Sequence, residues 1–253
     1  MAKGKLAKFA ELDRMEHVLQ YPYAVLKKIT TFPHRGKWGS EVFGNEHPLI
    51  LELGCGRGEY TIALAREHPE FNFIGVDIKG NRIWNGAKEV EHLGLKNVRF
   101  LRTEIELLEH FFAPSELHAI WLTFPDPQMK KVRRRLTSSG FLEKYAPLLS
   151  GAKVLHLKTD SQFLYQYTKA LTEANHLRVA MDYSDVYSEA PKESELRRIQ
   201  TYYEQQWLQR GITIKYLQLH LASITKSLEE PEVEIERDSY RSYGREQRNQ
   251  LNL

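Results

Sequence analysis

Cysteine is almost absent: Cys55 is the only one in 253 residues. A single thiol excludes an internal disulfide framework and any zinc site built from several cysteines. It fits a reducing compartment, and the expected location is cytoplasmic. No apolar run approaches the roughly 18 residues that a membrane helix needs, so no membrane partner is expected. The N-terminal MAKGKLAKFAELDR has lysines with no apolar core behind them and does not read as a secretory signal. No internal repeat and no Ser/Gly-rich linker divides the chain. Net charge is also small, because 36 Lys plus Arg face 33 Asp plus Glu, leaving +3.

What is present is an ordinary globular composition, 42% hydrophobic and 27% charged. The charges, however, are segregated. Lys130, Lys131, Arg133, Arg134 and Arg135 place five cations within six residues, and without them the chain is slightly acidic. Residues 229–238 (EEPEVEIERD) hold six acids against one arginine, and 239–253 are polar with scattered arginines. A charge run by itself reads as a solvated face. Beside a chemical site, the basic run reads as a patch for phosphates.

Residues 1–47 have weak periodicity, several turn formers and a basic aromatic cluster, Phe32 to Trp38, and read as an N-terminal extension. From 48 to 221 short apolar runs alternate with amphipathic stretches. The runs are 48–53, 71–77, 97–102, 117–124, 152–158 and, more weakly, 177–183 and 212–221. Helical patterns fill 59–68, 80–93, 104–113, 137–149, 161–176 and 193–210. This alternation predicts an α/β fold with a mostly parallel seven-stranded sheet, helices on both faces and an antiparallel last strand. Residues 222–253 read as a polar, charged tail. His156, Trp84, Trp121 and Trp207 read as packing residues.

The sharpest motif is Glu52-Leu53-Gly54-Cys55-Gly56-Arg57-Gly58-Glu59, which follows the first strand and opens a helix. Glycines there let the backbone turn tightly and approach a ligand. A dinucleotide fingerprint is G-x-G-x-x-G; here the third glycine comes one residue early and Glu59 takes its place. Glu52 would repel a pyrophosphate and welcome an ammonium group. S-adenosylmethionine (SAM) carries an ammonium and no phosphate. Asp77 ends the second strand, where an acid accepts hydrogen bonds from ribose hydroxyls; it also reads as a helix cap. Thr103 and Glu104 end the third strand, where side chains meet an adenine edge, although Glu104 also suits a helix N-terminus. This set resembles class I SAM-dependent methyltransferases, with their Rossmann-like fold.

Beyond the fourth strand, Phe124-Pro125-Asp126-Pro127 leads directly into the basic run. Ligands of open parallel sheets sit beyond the carboxyl ends of the strands, so Asp126 falls at the expected chemical position. LELGCGRGE (51–59), GVD (75–77), NVRFLRTE (97–104), FPDP with KK and RRRL (124–136), LHLKTD (155–160) and TYYE (201–204) together resemble the bacterial single-subunit tRNA (guanine-N7-)-methyltransferases. Gln128-Met129 stands where that family usually has Trp-Pro. The resemblance implies methylation of guanine N7 in tRNA, probed by SAM-binding residues Glu52, Gly54, Gly56, Asp77, Thr103 and Glu104. It implies Asp126 as catalytic residue and Asp126, Lys130, Asp160, Thr201, Glu204, Arg133, Arg134 and Arg135 as tRNA-binding residues. The family suggests the variable loop as target. No metal is implied, and the chain is expected to be a monomer or homodimer. Thr201-x-x-Glu204 also matches a capping box, but inside an expected helix 193–210 a box would be out of place, which favours a pocket role. Two alternatives stand beside this reading: a methyltransferase for another base position, and a non-catalytic tRNA-binding protein of the same fold.

Overall fold

A computed structural model describes residues 2–29, 31–225 and 227–240. Helix α1 (Ala2–Leu12) and strand β1 (Val18–Gln20) are followed by α2 (Tyr23–Leu26) and a π-turn at Trp38–Phe43. Next come β2 (Leu49–Leu53), α3 (Glu59–Glu67), β3 (Asn72–Asp77), α4 (Gly80–Leu93), β4 (Val98–Arg102), α5 (Leu108–Phe111) and β5 (Leu117–Thr123). The remainder is α6 (Ser139–Leu148), β6 (Leu149–Thr159), α7 (Gln162–Ala174), β7 (Arg178–Tyr183), α8 (Val186–Glu189), α9 (Glu195–Arg198), α10 (Tyr202–Gln209) and β8 (Lys215–His220).

The strands form one sheet in the order β1-β4-β3-β2-β5-β6-β8-β7. All pairings from β1 to β6 are parallel, while β8 runs antiparallel to both β6 and β7. The mostly parallel α/β architecture and the antiparallel last strand are therefore as the periodicity implies. The strand count is eight, not seven. The extra strand is β1, three residues from the N-terminal extension that pair with β4, Val18 opposite Phe100. So short a strand leaves almost no alternation in sequence. The extension is also bound into the main core: Phe32 and Trp38 are buried there, and the Trp38 indole donates to the Phe111 carbonyl at 3.0 Å.

β3 is buried along its whole length and β2 nearly so, as expected of parallel strands covered on both faces. Between β2 and β5 the strand order reverses, because the chain runs outward through β3 and β4 and then returns. A crevice opens at the carboxyl ends of strands at such a switch point. One expected helix is broken. Residues 193–210 form α9 and α10, separated by an extended Ile199 and an extended Thr201. The Ile199 carbonyl accepts the buried Lys158 ammonium at 2.9 Å, and Thr201 caps α10 through the Glu204 amide. The expected helix at 104–113 is a 3₁₀ turn, Ile105–Leu107, followed by α5. Residues 241–253 of the predicted tail lie outside the described residues. Among the described residues no helix is long and apolar enough to cross a membrane.

The glycine loop is seated by close packing beneath it. A Cβ on Gly86 of α4 would stand 2.3 Å from the Arg57 carbonyl oxygen and 2.8 Å from the Phe100 ring. Gly86→Ala is therefore expected to destabilise the fold by about 1–3 kcal/mol through overpacking, read as a lower midpoint in urea. An unchanged midpoint would mean that the loop can move aside freely.

Candidate active site

The crevice between β2 and β5 is a cleft of about 640 Å³. Its walls include Glu52, Gly54, Gly56, Asp77, Asp126, Asp160 and Thr201. Seven of the residues expected from sequence thus meet there, from five separate segments. The others lie elsewhere. Thr103 is buried and donates its hydroxyl to the Tyr21 carbonyl at 2.8 Å. Glu104 accepts the Tyr23 amide at 2.8 Å. Both fasten the N-terminal extension to the end of β4 instead of facing the cleft.

Glu52 is buried in the cleft wall. Its carboxylate accepts the Thr61 amide at 2.9 Å, the Thr61 hydroxyl and the Thr123 hydroxyl. Burial pushes this carboxyl up to about 7, even though each of these hydrogen bonds favours the ionised form. The loop above it turns through left-handed conformations at Gly54, Gly56 and Gly58, which only glycine adopts without strain. Space is open where a Gly54 side chain would stand. Asp77 closes the loop from below, accepting the Gly56 amide at 3.0 Å and the Lys79 amide at 2.7 Å. Asp77 does not cap α4, whose N-cap is Lys79 with no side-chain cap bond; the ligand-acceptor reading keeps geometric room. Each Asp77 oxygen carries one backbone bond and keeps a second lone pair.

The Phe124–Gln128 turn holds Asp126 at the cleft mouth. Pro125 and Pro127 are buried while Asp126 is exposed. Phe124 and Gln128 have φ of 50° and 46°. Two non-glycine residues in the left-handed region around one acid mark a strained turn of the kind that collects at functional sites. The Asp126 carboxylate accepts the Gln128 amide at 3.0 Å, and the Phe124 amide is anchored on the Lys158 carbonyl at 2.8 Å.

Asp160 is fully buried and accepts the Tyr240 hydroxyl at 2.7 Å. Thr201 reaches the cleft, but its hydroxyl is also the N-cap of α10, accepting the Glu204 amide at 3.2 Å. The capping function is real because the helix begins here. Glu204 is not in the cleft wall. It is fully buried in an ion pair with Lys158 at 2.8 Å and accepts the Tyr187 hydroxyl at 2.8 Å. Burial disfavours the charged form of both partners, lowering the Lys158 pKa and raising that of Glu204, and their mutual attraction only partly counters it.

The basic run divides. Lys130, Lys131, Arg133 and Arg134 are exposed, but Arg135 is buried. Its guanidinium lies 4.3 Å from the Tyr167 ring centre and 4.7 Å from that of Phe163, and donates to the Gln128 and Met129 carbonyls. Arg135 thus fixes the loop that carries Asp126 and does not offer a charge to solvent. Sequence could not separate it from its neighbours, because burial there depends on α7. A second depression, about 1330 Å³, lies beyond this loop and is lined by Arg133, Arg135, Glu230, Glu234 and Glu236. The acidic segment therefore does lie beside the basic run, but among the described residues no ion pair joins them. It is fastened by helix N-termini instead: Glu230 accepts the Ser139 amide at 3.0 Å and Asp238 the Phe163 amide at 3.1 Å.

Several wall residues escaped the sequence reading. Arg57, Lys79 and Arg82 bring positive charge to the cleft wall, and Tyr60, Thr123 and Trp207 also line it. Trp207, expected to be packing, lines the cleft against Tyr240, with ring centres 5.3 Å apart. Trp121 and His156 do pack, stacked at 4.0 Å. Thr61 and Thr123 had no signal of their own in the sequence; only their convergence on Glu52 reveals them.

Comparison with known proteins agrees with this geometry. The sequence family described as "Putative methyltransferase" matches residues 46–217. A tRNA (guanine-N(7)-)-methyltransferase of Porphyromonas gingivalis is 55% identical over 240 residues, covering 94% of this chain and 98% of that protein. One from Bacteroides thetaiotaomicron is 52% identical, covering 99% and 98%. Among solved structures, the 16S rRNA methyltransferase KamB aligns with a TM-score of 0.53 at 12% identity, covering 79% of this chain and 94% of that one. A 30S ribosomal A1408 methyltransferase from an uncultured bacterium aligns at 0.52 and 14% identity, covering 71% and 90%. These structural likenesses show the methyltransferase fold alone, whereas the sequence relatives, matched over nearly their full length, place this chain in the tRNA (guanine-N(7)-)-methyltransferase family.

Proposed function

We propose that this chain transfers a methyl group from SAM to N7 of a guanine in tRNA, in the variable loop. The observation that carries the reading is the convergence of four carboxylates, Glu52, Asp77, Asp126 and Asp160, on one cleft beyond the strand ends of a chain of this family. The cleft suits the cofactor. Its volume is in the range of small-molecule sites, and its glycine loop lets a ligand approach the backbone. Glu52 would accept the ammonium group, Asp77 the ribose hydroxyls, and Arg57 or Arg82 would face the carboxylate. Bound there, SAM supplies an electrophilic methyl group on a sulfonium.

Guanine N7 has an in-plane lone pair and needs no base to expose it. That lone pair forms the new N–C bond as the S–C bond breaks, and the bonding electrons stay on sulfur. The protein has to position the two reactants in line and favour the positive charge that builds on the ring. Asp126 is assigned to the guanine N1–H and N2–H edge, and Asp160 to the opposite wall of the same pocket. Thr201 contributes to that wall, while Glu204 holds it through Lys158. Lys130, Lys131, Arg133 and Arg134 would hold tRNA phosphates. The base must leave its stack to enter so deep a cleft, at some energetic cost.

Incubating the purified chain with SAM and unmodified tRNA, then mapping nucleosides by mass spectrometry, should reveal 7-methylguanosine; its absence rejects this function. Asp126→Ala should lower kcat/KM by about 100-fold or more, with cofactor affinity nearly unchanged. Near-normal turnover in that variant removes Asp126 from the mechanism.

A pH dependence follows from Glu52. Its carboxyl is raised to about 7, and only the ionised form attracts an ammonium. Affinity for SAM should therefore rise as pH increases through about 7, until the amine of the cofactor loses its own proton near about pH 8. Glu52→Gln should abolish the rise. Titration calorimetry across this range checks it, and a flat profile in the wild type would exclude Glu52 from ammonium recognition.

For the basic run, replacing Arg133 and Arg134 with Gln should weaken tRNA binding and lower its salt slope by about one per lost phosphate contact. Arg135→Gln should instead lower the unfolding midpoint. Binding measured across a salt series decides this, and an unchanged slope would return the exposed arginines to an ordinary solvated face.

A further inference from the structure

Glu59 ends the glycine-loop motif and opens α3. Its side chain crosses to a distant segment, where Oε2 accepts the backbone N–H of Tyr202 at 2.7 Å over a sequence separation of 143 residues. Tyr202 is the first residue of α10, directly after its cap Thr201. The first N–H groups of a helix have no acceptor within it. Thr201 satisfies that of Glu204 and Glu59 that of Tyr202. Packing does little for this turn, since Tyr202 and Tyr203 are 55% and 53% exposed. Glu204, tied to Lys158, is the buried side chain of α10.

Two more polar contacts join the same pair of segments. His68 Nε2 lies 3.0 Å from Glu195, and Arg198 pairs with Glu67. Two of the three ties begin on α3, the helix that follows the glycine loop, and the third on its C-cap His68. All three end between residues 195 and 202, the stretch that leads into the guanine side of the cleft. Both Glu59 and Tyr202 line that cleft.

We propose that Glu59 is a positioning residue that links the glycine loop to the first turn of α10, so that cofactor and tRNA each strengthen the binding of the other. It touches neither the methyl group nor the guanine. The inference rests on the assignment of the cleft given above. A ligand seated on the glycine loop fixes the start of α3, and Glu59 passes that constraint to the start of α10. Coupling of this kind is reciprocal in binding free energy.

The test uses the full chain and S-adenosylhomocysteine, which binds without reacting. Calorimetric titration with and without tRNA should show that tRNA tightens wild-type binding by about fivefold or more. Glu59→Ala should reduce this enhancement to near unity and raise KM for tRNA, while affinity measured without tRNA changes little. Glu59→Gln retains an acceptor oxygen and should restore most of the coupling. Tyr202→Ala keeps the N–H and Tyr202→Pro removes it, at a first helical position where proline is well tolerated. Coupling should be present in Tyr202→Ala, absent in Tyr202→Pro, and not reduced further by adding Glu59→Ala to the latter. Absence of coupling in the wild type, full coupling in Glu59→Ala, or equal coupling in the two Tyr202 variants would each overturn the proposal. A wild type that couples the two ligands yet forms no 7-methylguanosine would reject the function and leave the linkage standing.

Discussion

The geometry of the cleft depends on a buried acid that forms no ion pair among the described residues. Glu52 is the penultimate residue of β2, and its carboxylate gathers an amide and a hydroxyl from Thr61 of α3 and a hydroxyl from Thr123 of β5. One side chain thereby joins the two strands of the switch point to the helix that carries the glycine loop. Burying an ionised carboxylate costs several kcal/mol even after relaxation, and the three donors recover part of it. The remainder appears as the raised proton affinity. Energy held back in this way is available to a ligand that brings a positive charge, which is the chemistry expected of SAM.

Around this centre the molecule keeps each acid in a different electrostatic setting. Asp77 is tied to two backbone amides. Asp126 stands exposed on a turn with two left-handed residues. Asp160 is buried and hydrogen-bonded to Tyr240. Another buried acid, Glu204, has a full ion pair and is not in the cleft wall. Removing Lys158 from such a pair would leave an uncompensated charge in the core, a change that typically costs about 3–5 kcal/mol. The pair therefore braces the start of α10 from within the core.

Much of this was legible in the chain. Alternation of apolar and amphipathic segments placed seven of the eight strands. The five parallel ones from β2 to β6 read most clearly, because buried parallel strands are short, continuous and apolar. β7 and β8, which pair antiparallel, are marked more weakly. The eighth, β1, is too short to show a period. The glycine loop, Glu52, Asp77 and Asp126 could be found because ligands of this fold meet the ends of successive strands. Thr103 and Glu104 followed the same rule but stand outside the cleft wall, bonded to Tyr21 and Tyr23 of the N-terminal extension. The break between α9 and α10 was hidden for a similar reason. Local pattern favoured a continuous helix, while a buried lysine from β6 claimed the Ile199 carbonyl.

By itself, then, the sequence determined the class of fold, the glycine loop after the first buried strand, the position of Asp126 and the family of relatives, all of which follow from local order and spacing. Tertiary structure alone decided which of five adjacent cations is buried, that Glu204 faces Lys158 and not the cleft, and that Glu59 reaches α10. Those outcomes depend on contacts between residues far apart in the chain, where neither periodicity nor motif spacing carries information about burial or partner.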